Sequence, residues 1–286
     1  MIRPQLVRIA FLLPVVVETF HAVPVTRRCH RSSLPRLRHG VADSDAGAAA
    51  DTSTRHFLLS QARLYKCQKN KSLRRLKQPE EVPTAALEVW RWCANFVVPH
   101  NLCPWAAASV QATGAISIYL LGDTEEDDTP GGFPALMPTL SDVFLESVSG
   151  DTPEYDPHTA IAFVVDASSN QPWGDFATFH DFYEDLLDDY WDTSNDDPDH
   201  TAHQVMWAPF HPDWRFGGLD DDDPLHFEKQ SPYPTISIVS QAVIDQAGPQ
   251  ATQRIVESNQ ATLQQHNRST WKHIYDQAVV RGAQSI

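Results

Sequence analysis

Residues 159–166 read Thr-Ala-Ile-Ala-Phe-Val-Val-Asp, and this run decides the fold class. Because it is apolar almost throughout, it is typical of a strand that is buried on both faces of a sheet. Three further strands are predicted, at 115–121, 204–210 and 235–240, from their apolar and β-rich composition. The run at 159–166 is therefore predicted to occupy a central position in one sheet.

Helical patterns separate and follow these strands. Residues 85–98 are apolar nearly all round, which predicts a buried helix, and 134–148 and 173–191 repeat apolar residues at helical spacing. Alternating helices and strands predict an α/β protein, an α+β sandwich with a single mixed sheet of about four strands and helices packed on it. A ferredoxin-like arrangement, with the helices on one face, is the first candidate.

The charge of the chain is divided unevenly. Residues 1–78 contain 15 basic and 4 acidic residues, whereas residues 79–286 contain 7 and 33, within a total net charge of −15. The acidic part repels phosphate backbones, so we expect no nucleic-acid partner. Attachment of the mature form to anionic membranes is disfavoured for the same reason. A small-molecule substrate remains open as a partner.

The N-terminus resembles a targeting sequence. Residues 1–19 place Arg3 and Arg8 before an apolar run at 9–17, as in a signal peptide, and residues 20–42 contain five arginines and no acidic residue, as in a transit peptide. The tandem resembles the bipartite presequence of algae with complex plastids. It predicts delivery to the plastid (chloroplast), with the secretory pathway as the alternative.

A domain boundary is predicted near residue 83. Residues 43–82 are interpreted as a linker and basic arm, because 43–54 have a linker composition and 55–77 hold eight basic residues. This arm is either a solvated helix or a basic surface for a partner. Residues 83–286 are predicted to form a single globular domain. No apolar run is long enough to predict a membrane-spanning helix.

Cys103 is the first candidate for chemistry. Pro104 follows it, and proline favours the first position of a helix, so a short helix at 105–111 would place Cys103 at its N-cap. There the helix dipole and free N–H groups would stabilise a thiolate. The alternative is a small buried apolar cysteine.

A polar loop after the strand at 204–210 supplies the second half of the predicted site. His211 is the natural base for the Cys103 thiol, Asp213 would orient the imidazole, and Arg215 would clamp an anion. In the alternative interpretation, His211 and Asp213 only hydrogen-bond the backbone of their own loop.

Two other functions use the same residues. A metal-binding protein would use Cys103, His211 and Asp213, with His100 nearby, although their spacing matches no strong metal signature. A non-enzymatic binding module would use the loops only as structural turns. No glycine-rich phosphate loop is present, so a nucleotide cofactor has no local support and the cofactor stays open.

Four separated motifs, taken in order, resemble the family called "domain of unknown function 1415" over about residues 85–267: Asn101-Leu102-Cys103-Pro104, Phe210-His211-Pro212-Asp213-Trp214, Ser231-Pro232-Tyr233-Pro234 and Glu257-x-Asn259-x-x-Thr262-Leu263. The family has no assigned activity, so the resemblance implies no catalytic residue. Asn101, Arg215, Ser231 and Tyr233 are candidates for binding the substrate, and convergence of their segments on one cleft would support this interpretation. Lys229-Gln230 stands where the family has Asn-Arg, and Arg215 is expected to bind the anion instead.

Overall fold

The computed structural model describes residues 45–68, 72–122, 136–149, 156, 159–168, 173–194, 204–248 and 250–281. The predicted signal peptide at 1–19 and transit-like segment at 20–42 lie outside these ranges. None of the helices within them is long and apolar enough to cross a membrane.

In the described part of the chain, six strands form one mixed sheet in the order β2-β1-β3-β4-β6-β5. β1, β3 and β4 run parallel to one another, whereas β2, β6 and β5 pair antiparallel with their neighbours. The strands are β1 (Ala62–Cys67), β2 (Leu73–Arg75), β3 (Ile116–Leu121), β4 (Ile161–Asp166), β5 (Val205–Phe210) and β6 (Thr235–Ser240).

β4 lies inside the sheet, as its apolar sequence predicts. All six of its residues are buried, and it pairs with β3 through Ile116 and Ile161 and with β6 through Ile161 and Val239. The predicted α/β class and single mixed sheet are confirmed, although the sheet has six strands rather than about four.

Helices cover both faces of this sheet. One face carries α2, the π-helix, α7 and α8, and the other carries α4 and α5. The ferredoxin-like candidate with helices on one face is therefore wrong. The described helices are α1 (Asp45–Gln61), a short 3-10 turn (Pro79–Glu81), α2 (Thr84–Trp92), a π-helix (Cys93–Val97), α3 (Pro104–Gln111), α4 (Met137–Ser149), α5 (Phe176–Ser194), the segment called the 3-10 helix below (Pro224–Glu228), α6 (Gln241–Ala247), α7 (Ala251–Leu263) and α8 (Arg268–Arg281).

The segment predicted to be a linker and basic arm is instead part of the fold. α1 and β1 bury Leu58 and Leu64 completely, and β1 lies between β2 and β3. The basic side chains of Lys66, Arg74 and Arg75 are exposed near this edge of the sheet, where charge discourages pairing with other chains. The density of basic residues concealed the apolar positions that alternate with them.

Candidate functional site

The connection from α2 to α3 positions Cys103. α2 continues into the π-helix, in which the N–H of Val98 donates to the carbonyl of Cys93 at 3.0 Å. Asn101 then adopts a left-handed conformation with φ of 52°, which asparagine tolerates better than most residues. Cys103 follows in an extended conformation and caps α3, with Pro104 at the first helical position, as predicted.

A concave cavity of about 120 Å³ lies on the sheet face that carries α2 and α7. Strands β4, β5 and β6 form one wall of the cavity. The 3-10 helix and α3 contribute the rest of its lining together with α2 and α7. Most of its lining is apolar, as is usual for small-molecule sites. The larger apolar side chains include Trp92, Leu102, Trp105, Ile161, Phe163, Met206, Phe210, Phe216, Phe227 and Ile255.

Polar side chains also line this cavity: Cys103, Glu228, Lys229, Ser237, Thr252 and Asn259. The Nδ2 of Asn259 donates to the carbonyl oxygen of Leu102 at 3.0 Å and to Oε1 of Glu228 at 3.1 Å. Since both partners can only accept, they fix the orientation of the amide. The Oδ1 of Asn259 is then left buried without a hydrogen-bond partner in the described part of the chain.

Electrostatics couple Cys103 to Lys229. Burial raises the pKa of the Cys103 thiol, while the N–H groups of Ala106 and Trp105 and the charge of Lys229 lower it. The thiol makes no cap hydrogen bond of normal geometry, so burial dominates. The expected low pKa is therefore wrong, and the thiol needs a base. Burial also lowers the pKa of Lys229, against the opposing effects of Glu228 and Cys103, which makes its neutral amine more accessible.

The structure does not bring His211 to Cys103. Successive residues of a strand point to opposite faces, so His211 turns away from the face on which Phe210 packs. His211 is fully buried against the rings of Phe176 and Phe179, with centroids 5.5 Å and 5.4 Å away. Phe179 belongs to the core on the other face of the sheet.

Backbone groups occupy both ring nitrogens of His211. Nδ1 accepts from the N–H of Asp213 at 3.0 Å, so Nε2 must carry the proton that it donates to the carbonyl of Trp173 at 2.9 Å. A ring held in this way has no free nitrogen to accept a thiol proton. His211 instead joins two loops, as in the alternative interpretation of this motif.

The other predicted site residues also lie outside the cavity, so Cys103 is the one predicted site residue that lines it. Asn101, Asp213 and Arg215 are exposed, and Arg215 donates to the carbonyl of Trp214 at 2.8 Å. Ser231 is fully buried and donates to the carbonyl of Tyr233 at 2.6 Å. Three of the four motifs contribute to the lining of the cavity, through Cys103, Phe210 and Asn259, whereas Ser231-Pro232-Tyr233-Pro234 does not.

Comparison with known proteins is informative at the level of the family. The family model described as "Protein of unknown function (DUF1415)" matches residues 84–273. The chain belongs to this family. The resemblance predicted over about residues 85–267 is confirmed. Searches of curated proteins and of solved structures found no significant match.

The DUF1415 match contains all the polar residues of the cavity but begins after β1 and β2. Within the described ranges, no group of three or more His, Cys, Asp or Glu residues is arranged to hold a metal ion. Cys103 lines the cavity on one face of the sheet, whereas His211 packs against Phe179 of the core on the other face, and Asp213 is exposed. The metal-binding alternative therefore has no structural support in this part of the chain.

Sequence reasoning missed Glu228, Lys229 and Asn259. In the sequence, Lys229 is marked only by its departure from the family pattern, and Asn259 only by its place in the fourth motif. A signal for Asn259 was present, because it lies four residues before the fully buried Leu263 and so on the buried face of α7. A polar residue at an apolar helical position indicates a buried hydrogen bond or a ligand contact.

The two buried histidines of the DUF1415 loops should make the protein sensitive to acid. His226 is held like His211: its Nδ1 accepts from the N–H of Phe216 at 3.2 Å, and its Nε2 contacts the carbonyl of Asp220 at 2.9 Å. Burial lowers the pKa of both rings. As the pH falls, the unfolded chain therefore binds protons before the folded protein does. The contribution of the two histidines to the free energy of unfolding is fully present above about pH 6.5 and is lost progressively below it.

The expected slope is up to about 1.4 kcal/mol per pH unit for each histidine. Urea unfolding between about pH 7.5 and pH 5.5 measures it. A free energy of unfolding that stays constant over this interval would contradict the conclusion that both rings are neutral and hydrogen-bonded at each nitrogen.

Proposed function

We propose that this DUF1415 protein is an enzyme that acts on a small molecule through Cys103. Cys103 is the nucleophile, and Lys229, rather than His211, accepts the proton of the thiol. The observation that supports this function is the presence of Cys103, Lys229, Glu228 and Asn259 along one mostly apolar cavity.

The environment of the two groups suits proton transfer between them. Burial disfavours the thiolate and the ammonium separately, but each charge stabilises the other when a proton moves from sulfur to nitrogen. The Nζ of Lys229 lies 4.9 Å from the ring centroid of Phe210, another residue of the cavity. The N–H groups at the start of α3 add to the stability of negative charge beside Cys103.

Alkylation of cysteines tests the nucleophile. Iodoacetamide is expected to modify Cys103 in the folded protein, with a rate that rises with pH as the thiolate forms. Cys67 is the internal control, because burial raises its pKa to about 12 and it lies on the opposite face of the sheet. Peptide mass spectrometry follows each cysteine separately.

The Lys229→Met variant tests whether Lys229 stabilises the thiolate of Cys103. Loss of the cation is expected to slow alkylation of Cys103 roughly tenfold near neutral pH, the effect of about one pKa unit. Thermal unfolding of the variant shows whether the fold is retained. The proposal fails if Cys103 of the native protein reacts no faster than Cys67, or if Lys229→Met leaves the rate and its pH dependence unchanged.

A further inference from the structure

Two buried polar atoms of the cavity residues have no hydrogen-bond partner among the residues that the structure describes, and they complement each other. The Oδ1 of Asn259 is an acceptor, and the Nε1–H of Trp92 is a donor. Both residues are about 2% exposed and both line the cavity. Since buried polar groups are almost always paired, a ligand with both a donor and an acceptor would complete them.

The partners of Asn259 make this arrangement rigid. Its Nδ2 is held between Leu102, the neighbour of Cys103 in the chain, and Glu228, the neighbour of Lys229. The unpaired Oδ1 therefore has a defined position relative to the reactive pair. Glu228 acts through Asn259 and is a positioning residue.

The size of the cavity limits the apolar part of the ligand. An engineered apolar cavity of about 150 Å³ accepts benzene, so a cavity of about 120 Å³ suits an apolar group of about four to six carbon atoms. Among the described residues that line it, Lys229 is the one cation, and Glu228 accompanies it. The strongly acidic body of the protein further disfavours an anionic substrate.

We propose that the substrate is a small neutral carboxamide with an apolar acyl group, and that the protein hydrolyses its C–N bond. A carboxamide supplies an N–H for Oδ1 of Asn259 and a carbonyl oxygen for Nε1–H of Trp92. This inference rests on the proposed function of Cys103 and names the substrate class of the same site.

The reaction balances without a cofactor. Lys229 takes the proton of Cys103, and the sulfur attacks the carbonyl carbon to form a C–S bond. Lys229 returns the proton to the amide nitrogen as the C–N bond breaks, which releases ammonia and leaves a thioester on Cys103. Lys229 then takes a proton from water as the water oxygen forms a C–O bond to the thioester carbon. The C–S bond breaks, Lys229 returns the proton to the sulfur, and the carboxylic acid and the free thiol result.

The product is suited to leave the site. At neutral pH the carboxylic acid loses its proton and becomes an anion, which has no N–H to donate to Oδ1 of Asn259. Once Lys229 has returned its proton and is neutral, this anion is repelled by Glu228 and by the acidic body. The neutral substrate is not repelled in this way. The charge of the domain thus favours turnover over retention of the product.

Ammonia release tests the inference. Isobutyramide and benzamide are incubated with the protein, and ammonia, the carboxylate and the intact mass are measured after an acid quench. Ammonia and carboxylate are expected in equal amounts, with a transient acyl group on Cys103. Cys103→Ser should lower the rate at least about a hundredfold, whereas Cys67→Ala, on the other face of the sheet, should retain it.

Comparison of amides with methyl esters of the same acids tests the two polar groups. Asn259→Leu is expected to lower kcat/KM for the amide about tenfold or more, but that for the ester much less, because the ester has no N–H. Trp92→Phe retains an aromatic ring and should lower kcat/KM for both substrates. Equal losses on amide and ester in Asn259→Leu would show that Asn259 has a structural role alone, and would overturn its part in the proposal.

The outcomes separate the two proposals. If Cys103 alkylates selectively but neither amide releases ammonia, the substrate class is wrong and the nucleophile stands. If Cys103 is inert to iodoacetamide and no ammonia appears, both proposals fail. Ammonia release that survives Cys103→Ser would overturn the role of Cys103 in the hydrolysis.

Discussion

A fragment that begins at residue 83 is expected not to fold, although the DUF1415 match begins at residue 84. The deletion removes β1 and so exposes the edge of β3, which pairs with β1 from Ile116 to Leu120. It also removes four aliphatic side chains that are at most 3% exposed: Leu58, Leu64, Leu76 and Val82.

Burial of each of these side chains contributes about 2 kcal/mol, and a domain of this kind has a total stability of about 5–15 kcal/mol. The loss is therefore comparable with the whole free energy of unfolding. Far-UV circular dichroism and thermal unfolding of residues 83–281 and 45–281 measure the difference. A cooperative transition in the shorter fragment at the temperature of the longer one would show that α1 and β1 are dispensable.

Asp166→Ala is expected to be strongly destabilising, because this residue ends β4 and ties the following loop to the sheet. Asp166 is fully buried at the end of β4. Its Oδ1 accepts from the N–H and the hydroxyl of Ser168 at 3.2 Å and 2.6 Å, and its Oδ2 accepts from the N–H of Trp173 at 3.0 Å. Alanine removes all three bonds and leaves a cavity.

We expect a loss of about 3–5 kcal/mol, since hydrogen bonds to a buried charge are strong and their donors remain in the core. The loss of order should extend to His211, because the carbonyl oxygen of Trp173 accepts the hydrogen bond from Nε2 of His211. Urea unfolding measures the loss, and Asp181→Ala, at an exposed position of α5, is the matched control. A loss below about 1 kcal/mol would contradict this account.

Local sequence patterns were sufficient for β4 and for the cap of α3. A continuous apolar run has few alternatives to a buried strand, and a proline after Cys103 strongly favours a helix start. The pairing of Cys103 with His211 was wrong for a reason that the sequence contains. His211 directly follows Phe210 at the end of β5, so strand alternation separates it from the face of Phe210.

The polar residues of the cavity were harder to predict. Glu228 and Lys229 lie at the end of the 3-10 helix, and Asn259 lies in the middle of α7. They meet because α7 packs against the 3-10 helix, a tertiary contact between segments about thirty residues apart that no local pattern encodes. The basic charge of residues 55–77 led to the wrong prediction of a linker and arm, because exposed basic side chains can alternate with core residues within a strand.

The π-helix at Cys93–Val97 fixes the rotation of the segment that leads to the site. A π turn inside an α-helix contains one residue more than the turn it replaces. Removal of that residue would restore a regular helix and rotate everything beyond it by about 100°. Cys93 and Val97 line the cavity, and Leu102 and Cys103 follow within one short connection. The one extra residue of the π-helix therefore sets the direction in which the chain leaves this helix towards Cys103.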